Sequence, residues 1–232
     1  MVTEVCDSSQ LANVAAQRIA AALVTSIATD GQASLALAGG TTPRAAYEEL
    51  AKISGIDWTR VSVYFGDERA VPPTHADSNF RMAEAALFSR VALPADNIHR
   101  VQAELSDQDA AARAYEALLP ERFSVMVLGI GEDGHTASLF PGSPALKERS
   151  RRFLPVIGPK PPPERLSVTP PVIEAARQII VLATGSGKAE AVARALNGPI
   201  DIEHTPSGLA RNGLWLLDAA AAAKLAVQSI SG

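Results

Sequence analysis

Short apolar runs that stop at glycines constrain this chain more than any other feature. SLALAGG (34–40), RVSVYFGDER (60–69), FSVMVLGIG (123–131) and QIIVLATG (178–185) share this form, and a short NIHRV (97–101) and NGLWLLD (212–218) join them. Runs without polar alternation suit strands covered on both faces. Helix-spaced stretches stand between them. Strands alternating with helices give an α/β fold with a mostly parallel sheet and helices on both faces. Residues 1–232 read as one domain. The Pro-rich KPPPERLSVTPPVIEAAR (160–177) is too short for a linker; it reads as a surface segment turning into a strand and a short helix.

The helices carry their own punctuation. Leu11, Val14, Ala15, Ile19, Ala22 and Leu23 recur at helical spacing, with Asp7, Ser8 or Ser9 as the cap. Thr42 is placed to cap TPRAAYEELAK, with Pro43 at its first helical position. SNFRMAEAALFSRV puts Phe80, Ala83, Leu87 and Phe88 on one face. SDQDAAARAYEALL starts with a capping-box-like Ser106 and Asp109. SGKAEAVARAL (186–196) follows a strand, and AAAAAKLA (219–226) closes the chain.

In open α/β sheets ligands bind beyond the C-terminal ends of the strands. Here those ends carry GGTTPR, GDER, GIGEDGH and GSGK. Gly39-Gly40-Thr41-Thr42 enters a helix N-terminus, where free N–H groups and the dipole attract anions. It is either a phosphate cradle or a tight turn with an ordinary N-cap. Lys188 near a helix start is unfavourable for the dipole unless an anion lies close. Arg165 is either a further cation of the site or a surface arginine. Asp67-Glu68-Arg69 is a dense charge cluster behind a buried strand, either functional or internally paired.

GIGEDG fits the G-x-G-x-x-G dinucleotide pattern, but its context is wrong. Pro141-Gly142 interrupts seven residues after Gly134, and RRFLPVIG beyond it brings no acid to close a strand. His135 then points to chemistry, because imidazole accepts and returns a proton near neutrality. Asp133, two residues before it, can orient the ring. The four histidines have no H-x-H or H-E-x-x-H spacing, so no metal site is expected.

Composition narrows the partners. The formal charge of −4, without a Lys/Arg run, argues against nucleic acid. Cys6, the single cysteine, forms no internal disulfide, which suits a reducing cytoplasm. The N-terminus lacks the form of a signal peptide, and no apolar run approaches 18 residues, so no membrane span is expected.

LALAGGTTPRAAY, VYFGDERAVPPTHADSN, VMVLGIGEDGHTASLFPG, ERLSVT and GSGKAEAV, in this order, resemble the blocks of the 6-phosphogluconolactonases. The resemblance runs from about residue 5 to 225 and implies a single Rossmann-like domain. The related glucosamine-6-phosphate deaminases share the fold but continue their histidine loop with Ile-Ala-Phe-Asn-Glu-Pro. They also carry a tyrosine where this chain has Arg69. Thr136-Ala137-Ser138-Leu139-Phe140-Pro141 and Arg69 favour the lactonases.

The resemblance implies hydrolysis of 6-phospho-D-glucono-1,5-lactone, the second step of the oxidative pentose phosphate pathway, with no metal or organic cofactor. It makes His135 the general base, Asp133 its orienting acid and Arg69 the oxyanion donor. It assigns substrate binding to Gly39, Gly40, Thr41, Thr42, Arg165 and Lys188, with Arg44 as a further candidate cation. Asp67 matches the deaminases' base and is carried over as substrate-binding. His75 and Asn79 either shape the pocket or are structural. The expected partner is a small phosphosugar lactone, and the expected state a monomer or weak homo-oligomer. A deaminase-like enzyme and a non-catalytic sugar-phosphate sensor are the alternatives.

Overall fold

A computed structural model describes residues 2–225. Its centre is a six-stranded sheet in the order β1 (Val2–Cys6), β9 (Leu214–Asp218), β8 (Gln178–Ala183), β5 (Val125–Gly129), β2 (Ala33–Leu37) and β3 (Val61–Phe65). Every neighbouring pair is parallel, as the unalternated apolar runs require. The strands sit in register, with Leu35 opposite both Val63 and Val125. Nearly all of β2, β3 and β5 is buried, so both faces of the sheet are covered.

Helices α1 (Ser8–Asp30) and α2 (Thr41–Leu50) pack on each other and on the sheet. By length and a mean hydropathy of 1.4, α1 meets the criteria of a membrane span, contrary to the sequence expectation. Its apolar face is instead core: Leu11, Ala15, Ile19 and Leu23 are buried. Mid-helix Arg18 pairs with Glu4 on β1 at 2.9 Å. Strand β1 escaped the sequence reading because it is a short, half-exposed edge with Glu4 at its centre.

A second sheet of three antiparallel strands was also unforeseen: β4 (Asp67–Arg69), β7 (Glu164–Val168) and β6 (Phe153–Ile157). The single strand expected over 60–69 is two strands. Gly66 ends β3, where its N–H bonds Leu37 O at 2.9 Å, and the chain passes into the other sheet. NIHRV is not a strand; it makes one bridge, Ile98 to Val63.

The remaining helices are α3 (Asn79–Ala86), α4 (Gln108–Glu116), α5 (Pro170–Ala175), α6 (Ala189–Leu196) and α7 (Ala219–Ala222). Several caps differ from expectation. Asp107, not Ser106, caps α4 through Ala110 N–H. Asp7 precedes α1 but makes no side-chain cap bond. Helix α2 begins at Thr41 behind Gly40, so Pro43 is its third residue and Thr42 caps nothing. The closing helix is a single turn, and Ala226 of that stretch lies outside the described residues.

Two buried tyrosines fix the strand ends that face the site. Tyr47 Oη meets Ala38 N and O at 2.9 and 3.1 Å. Tyr115 Oη meets Phe65 N and O at 2.7 and 3.2 Å. Each satisfies main-chain groups that parallel pairing leaves open where the strand ends.

Candidate active site

The glycine-marked turns converge on a cleft of about 270 Å³ at the C-terminal edge of the parallel sheet. Gly39, Gly40, Asp67, Arg69, Glu132, His135, Lys160, Arg165 and Lys188 line it. Two other cavities are larger, about 660 and 360 Å³. Neither contains a histidine, and in the smaller the two arginines are already paired, Arg18 with Glu4 and Arg177 with Asp30.

The loop after β5 is folded around its histidine. Gly131 N–H donates to His135 O at 2.8 Å and Gly134 N–H to Gly131 O at 3.0 Å. The imidazole packs on Gly131, where a Cβ would come 2.0 Å from Nδ1, so only glycine fits there. From outside, Arg194 donates to Asp133 O at 3.2 Å and Ser207 N–H to Gly134 O at 2.9 Å. Ala137 sits at φ +48°, a strained conformation for a residue with a Cβ, directly beside the histidine turn.

Asp133 Oδ1 lies 2.6 Å from His135 Nδ1 and also accepts His135 N–H at 3.2 Å. Partial burial acts to raise the Asp133 carboxyl. The His135 hydrogen bond and charge, with Lys160 farther off, outweigh it and hold Asp133 well below the usual carboxylate range. An ionised carboxylate only accepts, so Nδ1 must carry the proton of that bond. Neutral His135 therefore keeps its lone pair on Nε2. The ring leans on Phe140, centroids 4.7 Å apart, with the Arg165 guanidinium 5.6 Å from the same ring.

The small sheet supplies the cations. In the β4–β7 register Arg69 stands directly opposite Arg165, and Asp67 opposite Ser167. Like charges facing each other across a strand pair are unfavourable unless an anion joins them. Arg69 Nη1 bonds Asp77 O at 2.7 Å, while its Nε is buried without a partner. Burial and the nearby Arg69 both depress the Arg165 guanidinium. Asp67 is tied down, accepting Ser138 Oγ at 2.7 Å and Asn79 Nδ2 at 3.3 Å.

Other expected residues fall elsewhere. Arg44 points to solvent and pairs with Glu48, because helical i,i+4 spacing puts the two on one exposed face. Thr41 and Thr42 do not line the cleft; Thr42 Oγ1 bonds Thr184 Oγ1 at 2.7 Å on the far side of the turn. Glu68 is not paired with Arg69's side chain. It accepts the N–H groups of Arg69, Asn79 and Phe80 at 2.7–2.8 Å and so caps α3. Burial pushes its carboxyl up, partly offset by those donors. Asn79 is structural: it bonds Asp67 and sits where a Cβ on Gly39 would be, 2.0 Å from Oδ1. His75 is exposed, its Nδ1 accepting Asp77 N–H at 3.2 Å, and is not part of the lining.

Three residues near the site went unread. Lys160 belongs to a stretch that reads as a surface segment, and Glu132 carries no role in the sequence reading. Asp218, the acid ending NGLWLLD, accepts Gly185 N–H at 3.0 Å and fixes the turn that carries Lys188. An acid closing an apolar run was the one available signal for it. Among the described residues no cluster of His, Cys, Asp and Glu fits a metal ion.

The chain is 39% identical over 236 residues to the 6-phosphogluconolactonase of Mycobacterium tuberculosis, covering 94% of this chain and 96% of that one. Identity to the Streptomyces coelicolor 6-phosphogluconolactonase is 39% over 240 residues, covering 94% and 92%. The solved 6-phosphogluconolactonase of Trypanosoma cruzi superposes with a TM-score of 0.83 at 30% identity, covering 97% and 96%. A monomeric glucosamine-6-phosphate deaminase superposes as well, at TM-score 0.84, but at 22% identity it shows the fold alone. The model of the glucosamine-6-phosphate isomerases/6-phosphogluconolactonase family matches residues 6–215, and the chain belongs to that family.

Proposed function

We propose that this protein hydrolyses 6-phospho-D-glucono-1,5-lactone to 6-phospho-D-gluconate, with His135 as general base. The observation that carries the reading is the Asp133–His135 pair, 2.6 Å apart, in a cleft that also holds Arg69, Arg165 and Lys188. A base and clustered cations in one cleft suit an uncharged ester group and a phosphate on one small molecule.

In this mechanism Nε2 of His135 takes a proton from a water whose oxygen attacks C1. The new C1–O bond places the negative charge on the former carbonyl oxygen, which Arg69 stabilises. Collapse of this intermediate breaks the bond from C1 to the ring oxygen. That oxygen takes the proton from His135 and leaves as a hydroxyl. The carboxylic acid then releases its proton to solvent. Asp133 fixes the tautomer and stabilises the imidazolium between the two proton transfers. Arg165 and Lys188 hold the phosphate, with the main chain at Gly39 and Gly40 beside it. Asp67 orients sugar hydroxyls. We read residues 1–232 as one catalytic domain acting without a cofactor, in the cytoplasm, as a monomer or weak homo-oligomer.

The test generates the lactone in situ with glucose-6-phosphate dehydrogenase and follows NADPH formed by 6-phosphogluconate dehydrogenase. Acceleration above the spontaneous opening, lost in His135→Ala, is expected. No acceleration by the wild type would overturn the reading and shift it to deaminase-like chemistry or sensing.

A further inference from the structure

The chain has five lysines. Lys52, Lys147 and Lys224 are ion-paired on the surface. The other two, Lys160 and Lys188, both line the cleft and make no ion pair among the described residues. Lys188 arrives on a strand-to-helix turn at the phosphate end. Lys160 comes from the loop joining β6 to β7.

That loop is held in place. Gly158 N–H donates to Pro163 O at 2.7 Å, closing the loop's base. Arg165 reaches back to donate to Pro162 O at 3.1 Å and Lys160 O at 3.5 Å. Gly158 lies against Phe140, where a Cβ would come 2.7 Å from the ring. His135 and Arg165 are further neighbours of that ring. The loop is thus seated on the aromatic ring that supports the base, and Lys160 lines the same cleft as His135.

We infer that Lys160 contacts the C1 end of the substrate, where its ammonium holds the oxygen that becomes the oxyanion and then part of the product carboxylate. This rests on the hydrolysis proposed above. The phosphate is charged from the start and has Arg165 and Lys188. C1 is neutral in the lactone and gains charge only as water adds. A cation at the His135 end therefore binds the lactone weakly and the transition state and product strongly. It gives the oxyanion a second donor besides Arg69.

The experiment measures calorimetric binding of 6-phosphogluconate and of glucitol 6-phosphate, which has the same phosphate but a hydroxymethyl group at C1. Wild type should bind both. Lys160→Met, which keeps the length of the apolar stem, should weaken 6-phosphogluconate roughly 10-fold, as expected for a lost charge-assisted contact, with glucitol 6-phosphate changed less than about twofold. The retained glucitol 6-phosphate binding also reports that the variant is folded. The same variant should lower kcat more than it raises KM. Equal weakening of both ligands would overturn the inference by assigning Lys160 to the phosphate, and no weakening of either would overturn it by removing Lys160 from the site. Wild type binding neither ligand would instead sink the hydrolysis reading itself.

Discussion

The two sheets contribute to the cleft in opposite ways. In the six-stranded sheet the strands are core, and the charged groups lie in the loops beyond them: Asp133 and His135 after β5, Lys188 after β8. In the three-stranded sheet all but Lys160, on the β6–β7 loop, lie on the strands themselves. Asp67 and Arg69, two residues apart on β4, share a face with Arg165 on β7, while Glu68 turns the other way to cap α3. The difference follows from burial. A parallel strand covered on both faces has no position where a charge escapes desolvation. A short antiparallel ribbon can keep one face toward the cleft. The large sheet thus supplies a base on a turn, and the small one two guanidiniums set side by side by strand register.

The most direct way to break this division is at His135. His135→Ala should lower kcat by about 10²–10⁴-fold, the usual worth of a general base, with phosphosugar affinity nearly unchanged. A matching loss of affinity, seen by titration with 6-phosphogluconate, would mean that the base and the anion site are not separate.

Arg165→Met probes the other sheet. Loss of a charge-assisted phosphate contact should raise KM about 10–100-fold. The same change removes a cross-strand repulsion, worth about 0.2–1 kcal/mol, against the lost hydrogen bonds to Pro162 O and Lys160 O, so the ligand-free protein should change little in urea stability. A variant that lost both affinity and stability would show that the pair is structural and that the register carries no functional strain.

Tyr115→Phe addresses the crossing between the sheets. It strips the partner from Phe65 N–H and C=O, just before Gly66, where the chain leaves one sheet for the other. A buried main-chain group left unpaired costs about 1–3 kcal/mol, which urea unfolding would register. If stability held but kcat fell, the tyrosine would be aiming the β4 residues rather than securing the strand end.

The contrast between the sheets also explains what the sequence disclosed. Parallel strands buried on both faces announce themselves as apolar runs, so β2, β3, β5, β8 and β9 were legible. The loops at their ends could be examined in turn, and His135 stood out there because its companions were glycines and an acid. Strands β4 and β6 carry no such signal. Asp-Glu-Arg looks like a charged loop, and RRFLPVIG holds a proline in its middle. Their pairing is long-range: only the fold reveals that Arg69 faces Arg165 across almost a hundred residues of chain. Lys160 was hidden for the same reason, since a proline-rich stretch reads as surface until Phe140 is found beneath it. Thr42 and Arg44 failed in the other direction. The motif they belong to is real, but rotation around a helix turns Arg44 to solvent and Thr42 toward Thr184. Spacing along a chain does not fix which side of a turn a side chain takes.

The finest test lies within the β5 loop and uses pH. Asp133 is held below the ordinary carboxylate value of about 3.9, chiefly through His135. Below that pH the folded state therefore binds fewer protons than the unfolded one, so acid works against folding. The contribution of Asp133 is fully present above about pH 4 and is lost as pH falls from there toward its lower folded value. Asp133→Asn has no carboxyl at this position to titrate and loses nothing from it over that range. In urea unfolding, wild type should exceed Asp133→Asn by about 1 kcal/mol or less near neutrality, the size typical of a partly exposed pair, and the gap should narrow from pH 4 to pH 2.5. Arg165→Met, on the other sheet, should follow the wild-type acid limb. A gap that stayed constant with pH would mean that Asp133 contributes through shape and its main-chain bonds, and that the Asp133–His135 hydrogen bond does not depend on the carboxylate charge.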